Sequence, residues 1–240
     1  MEIYIEKDYN ALSKRAADII ALFLKENPEA VLGLPTGSTP QKMYNLLGKK
    51  CKNKEISFAK IKTFNLDEYS GLSPADKQSY HFFMNENLFS KTDIDIKNTF
   101  FPTDFKPNYK NYDEKIKELG GIDLQILGIG RDGHIGFNEP GSKFSSKTRE
   151  ISLEEITIKD NARFFKDIKD VPRKAVTMGI ETIMEAKKIV FIASGKNKSK
   201  IVFDALFGPV STKVPASIIQ KHKNVIVILD KEAAKEFIKK

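Results

Sequence analysis

The sequence predicts an α/β protein, with a Rossmann-like, open, mostly parallel sheet and helices on both faces. Three observations carry this expectation. Short apolar runs alternate with amphipathic stretches along the whole chain of 240 residues. The apolar runs have the length of buried strands, and the stretches between them repeat their apolar residues at helical spacing. Four unusual polar clusters each stand directly after an apolar run. In a sheet built from right-handed crossovers these clusters share one edge, the carboxyl edge where ligands bind.

In chain order, the sheet starts almost at residue 1, and Ala11 to Lys25 has the spacing of an amphipathic helix. Ala30-Val31-Leu32-Gly33-Leu34 reads as a buried strand, followed by a helix over Thr39 to Leu47. Ile61 to Leu66 is a second strand, with helices over Ser79 to Phe89 and Tyr109 to Leu119. Leu124-Gln125-Ile126-Leu127-Gly128 is a third buried strand. A helix over Ile180 to Ala186 leads into the strand Ile189 to Ala193, and a helix over Lys198 to Leu206 follows. Val225 to Leu229 is a late strand, and Lys231 to Ile238 is a closing helix. No repeat, low-complexity tract or linker interrupts the pattern, so residues 1–240 read as one domain.

Composition bounds the function. Hydrophobic residues make up 40% of the chain, enough for a real core. No run of about 18 apolar residues is present, and Met1 to Lys7 lacks the regions of a signal peptide. The lone Cys51 rules out an intrachain disulfide and a cysteine zinc site. These features lead to an expectation of a cytoplasmic protein with no membrane partner. The formal charge is +8, but the lysines are scattered among Asp and Glu, as between Lys106 and Lys117. That distribution reads as a solvated surface rather than a nucleic-acid face, the alternative being a positive field that draws in an anionic metabolite.

The four clusters carry the chemistry. Pro35-Thr36-Gly37-Ser38-Thr39 joins a strand to a helix. Its backbone N–H groups, the helix N-terminus and three hydroxyls suit a phosphate. An ordinary strand–turn–helix with Ser38 or Thr39 as N-cap fits the same letters. Asp67-Glu68 follows the second strand, and adjacent residues on extended chain point to opposite sides. One of the two can therefore serve as a base on a C–H acid, although a solvated loop pair reads equally well.

The segment Gly128 to Gly141 contains G-x-G-x-x-G at Gly128, Gly130 and Gly133. A dinucleotide fingerprint must also open a helix, and Gly136, Pro140 and Gly141 prevent one. The glycines instead fold a loop that brings Asp132, His134 and Glu139 together. A histidine flanked by carboxylates can shuttle a proton on a ring oxygen. The three histidines His81, His134 and His222 show no metal-binding spacing, so no metal is expected. Arg163, beside Phe164 and Phe165 in a polar stretch, and Lys198, at a helix start where a cation opposes the helix dipole, are candidate phosphate partners.

These residues resemble a known family. Leu32 to Pro40, Asn65 to Leu72, Ser79-Tyr80-His81-Phe82 and Gly128 to Gly141 look like the motifs of the glucosamine-6-phosphate deaminases, within the glucosamine/galactosamine-6-phosphate isomerase family. Val176 to Ile180 and Ser194-Gly195-Lys196 extend the likeness over nearly the whole chain. The related 6-phosphogluconolactonases share the fold and the Asp-Gly-His element. Phe137-Asn138-Glu139-Pro140 and Tyr69 stand where that group is expected to differ.

The resemblance implies a hydrolase/isomerase of amino-sugar catabolism that needs no cofactor. It would convert α-D-glucosamine 6-phosphate and water to fructose 6-phosphate and ammonia. In this reading His134 opens the ring, Asp132 and Glu139 orient it, and Asp67 moves the C2 proton to C1. Thr36, Gly37, Ser38, Thr39, Arg163 and Lys198 would hold the phosphate. The alternatives are a lactonase of the same fold and a galactosamine-6-phosphate deaminase, which differs only in its reading of C4. A sugar-phosphate sensor would need an attached DNA-binding helix-turn-helix, for which the chain leaves no room. Allosteric hexamers of the family carry a basic residue two positions after the Arg of a Thr-Arg pair. Here Thr148-Arg149-Glu150-Ile151 places Ile151 there, which implies an unregulated monomer or low-order homo-oligomer.

Overall fold

The apolar runs build one seven-stranded sheet in a computed structural model that describes residues 1–162 and 165–238. In chain order its strands are β1 (Glu2–Glu6), β2 (Val31–Leu34), β3 (Lys62–Asn65), β5 (Thr99–Phe100), β6 (Leu124–Leu127), β9 (Ile189–Ala193) and β10 (Val225–Asp230). They lie in the order β1-β10-β9-β6-β2-β3-β5 and every pair is parallel. The numbers missing from this series belong to a second, three-stranded sheet: β4 (Asp67–Tyr69), β7 (Arg149–Ser152) and β8 (Lys174–Thr177), in the order β4-β8-β7 and antiparallel.

The helices are α1 (Tyr9–Glu26), α2 (Ser38–Lys52), α3 (Tyr80–Asn87), α4 (Lys110–Glu118), α5 (Glu155–Asn161), α6 (Ile180–Met184), α7 (Ser199–Phe207) and α8 (Lys235–Ile238). The period-two alternation of strand side chains divides the core between two helical layers. Leu32, Leu34, Leu124, Ile126, Val190, Ile192 and Ile228 face α1 and α2. Val31, Leu127, Ile189, Phe191, Val225, Val227 and Leu229 face α4, α6 and α7. The parallel α/β fold with helices on both faces is thus as the alternation predicts.

Element ends differ from the sequence reading by a few residues. α2 runs on to Lys52, past the expected end at Leu47, and near the C-terminus Lys231 to Ala234 forms turns, so that only α8 is helical there. The small antiparallel sheet and β5 are additions. Among the described residues no helix is long and apolar enough to cross a membrane.

The strand order reverses between β2 and β6. Residues 31–65 build outward through β3, and the chain then returns to lay β6 on the other side of β2. Such a switch point opens a crevice at the carboxyl ends of the two strands. The segments that leave it are Pro35 to Thr39, after β2, and Gly128 to Gly141, after β6.

Candidate active site

At the first of these segments, α2 begins at Ser38 with Gly37 as N-cap, and no side chain caps it. The alternative in which Ser38 or Thr39 serves as the N-cap is therefore not what the structure shows. Its first turn holds no acidic residue, so the dipole and backbone donors of a 15-residue helix face the rim uncompensated. Thr36, Gly37 and Thr39 are half-buried and Ser38 is exposed. Tyr9 braces this end by donating from its hydroxyl to the carbonyls of Ser38 and Thr39, at 2.8 and 3.1 Å.

The Asp-Glu pair lies in β4 and not in a loop. Leu66 ties it to the large sheet, its N–H donating to Leu34 O and its carbonyl accepting from Met178 N. Alternation along β4 then separates the two acids. The Glu68 carboxylate accepts from the backbone N–H groups of Tyr69 (2.7 Å), Tyr80 (3.1 Å) and His81 (3.0 Å). It also pairs with His81 Nδ1 at 2.9 Å. Asp67 stands opposite Thr177 of β8, which in turn stands opposite Arg149 of β7. Asp67 is 6% exposed. Burial, reinforced by the charge of Glu68, pushes its carboxyl from 3.8 up to about 8.

The loop after β6 reaches Asp67 through Gly136. A Cβ built there would lie 3.0 Å from Thr177 Oγ1 and 3.3 Å from Asp67 Oδ2, and φ is +58°. Only a glycine lets the backbone come this close in this conformation. Two residues earlier, His134 Nδ1 approaches Asp132 Oδ1 at 2.7 Å without the alignment of a full hydrogen bond. Burial raises the Asp132 carboxyl, but its contacts with His134 outweigh this and hold it below the usual value. The imidazole packs flat on the chain at Gly130, where an added Cβ would come within 2.2 Å of Cε1 and 2.3 Å of Nδ1. Asn138 locks the loop, its Nδ2 donating to Ile135 O and Met178 O while its Oδ1 accepts from Arg149.

Glu139 departs from the expected arrangement. Its carboxylate accepts from Glu154 N, at the start of α5, and from the Thr157 hydroxyl, so it anchors that helix and makes no hydrogen bond to His134. Burial raises it, opposed by Thr157, the Glu154 N–H and the nearby His134. Lys198 Nζ donates to Ile129 O at 2.8 Å, which fastens the turn after β9 to the loop after β6. Arg163 lies outside the described residues.

Contacts thus join Asp67 and Lys198 to the loop that carries Asp132 and His134, and the start of α2 leaves the same edge of the sheet. The sequence reading did not anticipate His81, whose ring joins Glu68 to Asp104, or Arg149 and Thr177, which hold the loop beside Asp67. The motif Ser79-Tyr80-His81 was the only hint of the first.

Residues 6–228 match the family described as glucosamine-6-phosphate isomerases/6-phosphogluconolactonase. A glucosamine-6-phosphate deaminase of Thermoanaerobacter sp. (strain X514) is 50% identical over 238 residues, which cover 98% of this chain and 94% of that protein. One of Clostridium novyi (strain NT) is 50% identical, over 98% and 99% of the two chains. A solved monomeric glucosamine-6-phosphate deaminase superposes with a TM-score of 0.94 at 44% identity, covering 98% of this chain and 99% of that one. The 6-phosphogluconolactonase of Trypanosoma brucei shares the fold at 21% identity, with a TM-score of 0.76 and 98% of each chain covered. These names support the isomerase and deaminase part of the expected activity and lend nothing to the hydrolase class, which is withdrawn. The chain belongs to the family of glucosamine-6-phosphate isomerases and 6-phosphogluconolactonases.

Proposed function

We propose that residues 1–240 form one cytoplasmic sugar-phosphate isomerase/deaminase domain that converts glucosamine 6-phosphate and water to fructose 6-phosphate and ammonia. The observation that carries this reading is the position of Asp67. It is a buried carboxyl held near pH 8, in reach of the loop that presents the His134–Asp132 pair. The relatives at half identity, all named as deaminases, support it.

His134 takes the proton from the C1 hydroxyl of the pyranose and returns it to the ring oxygen, leaving an open-chain aldehyde. Asp132 holds the imidazole and balances its charge as it gains the proton. Glu139 acts on this ring at a distance and anchors the start of α5. Asp67 then removes the C2 proton, giving an enol-amine, and delivers it to C1. The nitrogen is left as a 2-imine, water adds at C2, and ammonia departs. Each step moves protons without redox change, so the route calls for no cofactor. A phosphate on the start of α2, with its backbone amides and the hydroxyls of Thr36, Ser38 and Thr39, places C1 and C2 between the acid groups. Lys198 and, on the strength of the resemblance, Arg163 complete that clamp. Fixing a remote anion in this way orients a reacting centre too small to be gripped itself.

Ile151 packs against the apolar cluster of Tyr69, Phe137 and Ala175, where allosteric relatives would need a cation. We therefore read the enzyme as unregulated, and as a monomer or low-order oligomer. Sigmoidal kinetics relieved by N-acetylglucosamine 6-phosphate would contradict this. The function itself is tested by ammonia release from glucosamine 6-phosphate and galactosamine 6-phosphate, beside acid release from 6-phosphogluconolactone. Ammonia from the glucosamine compound is expected. Rapid lactone hydrolysis with no ammonia would overturn the reading.

A further inference from the structure

Behind Asp67 lies a set of charges that the proposed reaction does not use. Glu68 is 1% exposed, and the imidazole of His81 bridges it to Asp104, with Nδ1 2.9 Å from Glu68 Oε2 and Nε2 3.2 Å from Asp104 Oδ1. A carboxylate faces each ring nitrogen, so both contacts are satisfied only when both nitrogens carry protons. The ring stacks on Phe101 with centroids 3.6 Å apart, which fixes its plane. Among the described residues, the ionisable groups that interact with Asp67 are Glu68 on its own strand, Tyr80 from α3 and Tyr112 from α4. Thr177 and Gly136, which also lie beside it, carry no charge. Glu68 is thus the charge that most directly opposes ionisation of Asp67, and His81 is the group placed to cancel it.

Resting on the reading of Asp67 as the base, we propose that His81 is a positioning residue of the reaction: clamped between Glu68 and Asp104, its imidazolium offsets the carboxylate beside Asp67 and so enlarges the share of Asp67 that is ionised and able to accept a proton at neutral pH. Burial works against a charge on His81, but Asp104 and Glu68 prevail and raise it to about 9. The ring therefore keeps its charge through the range in which Asp67 titrates.

The test is the pH dependence of kcat/KM for ammonia release by wild type and His81→Gln. Glutamine can still donate a hydrogen bond to Glu68 but supplies no charge. The substrate titrates identically with both enzymes, so only the displacement between the curves is read. The expected result is an acid limb moved upward by about one pH unit and a loss of about tenfold at pH 7. The curves should converge above pH 9, where the wild-type ring also loses its proton. A loss of equal size at every pH, or an unmoved limb, would overturn the proposal. If His81→Gln fails to fold, Asp104→Asn keeps the ring and its packing. It should shift the limb in the same direction by a smaller amount, and an unmoved limb there refutes the proposal equally. Asp67→Asn measured alongside separates the two ideas. Full activity in that variant removes the base itself, whereas an inactive Asp67→Asn with an unmoved His81→Gln limb removes only the role of His81.

Discussion

Replacing Gly130 by alanine tests whether the seat of His134 matters. The backbone at Gly130 has no positive φ, so alanine costs no conformational strain there. The added methyl would instead lie 2.2 Å from Cε1, 2.3 Å from Nδ1 and 2.5 Å from Cγ of the imidazole. Ordinary carbon contacts begin near 3.5 Å, so the ring must withdraw by about 1 Å. The movement takes it away from the seat in which Nδ1 meets Asp132. A displacement of about 1 Å in a proton-transfer group costs about 100-fold in rate. Steady-state ammonia release should therefore show kcat/KM for cyclic glucosamine 6-phosphate lower by about that factor. An acyclic analogue, which needs no ring opening, should lose far less. Activity within threefold of wild type on the cyclic substrate would refute the idea that the imidazole works from this seat.

Three further outcomes are expected. His134→Gln should slow turnover of the cyclic substrate most and spare an acyclic one in part, and equal losses on both would argue against ring opening by this residue. Asn138→Ala removes two donors to buried carbonyls and the acceptor for Arg149. At about 1–3 kcal/mol for each stranded group, and with partial relaxation, it should cost about 3 kcal/mol and lower Tm by about 6–12 °C. Asp67→Asn should be more stable than wild type in a pH-dependent way. Folded Asp67 keeps its proton up to about 8, whereas the unfolded chain releases it near 3.8, so wild-type stability falls as pH rises between those values. The variant should gain about 2 °C or more in Tm at pH 8 and little at pH 4, and a constant difference across that range would contradict the burial argument.

The large sheet was legible because its strands are buried on both faces. Runs such as Ile189 to Ala193 and Val225 to Leu229 have no polar side to confuse with a helix or a hairpin. The four clusters were legible for the same reason, since each marks the point where such a run stops. The small sheet was hidden. β4 consists of Asp67, Glu68 and Tyr69, which read as a polar loop, and β7 alternates between half-buried and exposed residues over only four positions. The role of His81 could not be read locally, because Glu68 and Asp104 lie 13 or more residues away and meet it only through α3 and the turn Pro102–Phe105. Glu139 misled by proximity in the chain. It stands five residues after His134, yet Gly136 and the Asn138 lock turn the chain so that its carboxylate meets the start of α5. The glycines of this loop pointed to a fold that gathers the acids around His134, but the close seat of the imidazole on Gly130 itself had no sequence signal.

The fate of the C2 hydrogen provides the most direct test of Asp67. With glucosamine 6-phosphate deuterated at C2, wild type should place deuterium at C1 of fructose 6-phosphate, in competition with exchange into solvent. Asp67→Asn should bind the sugar with KM or Kd within a few-fold of wild type and lower both deuterium transfer and ammonia release by about 100- to 10,000-fold. An Asp67→Asn enzyme that moves the label at a rate near wild type would show that another group takes the proton.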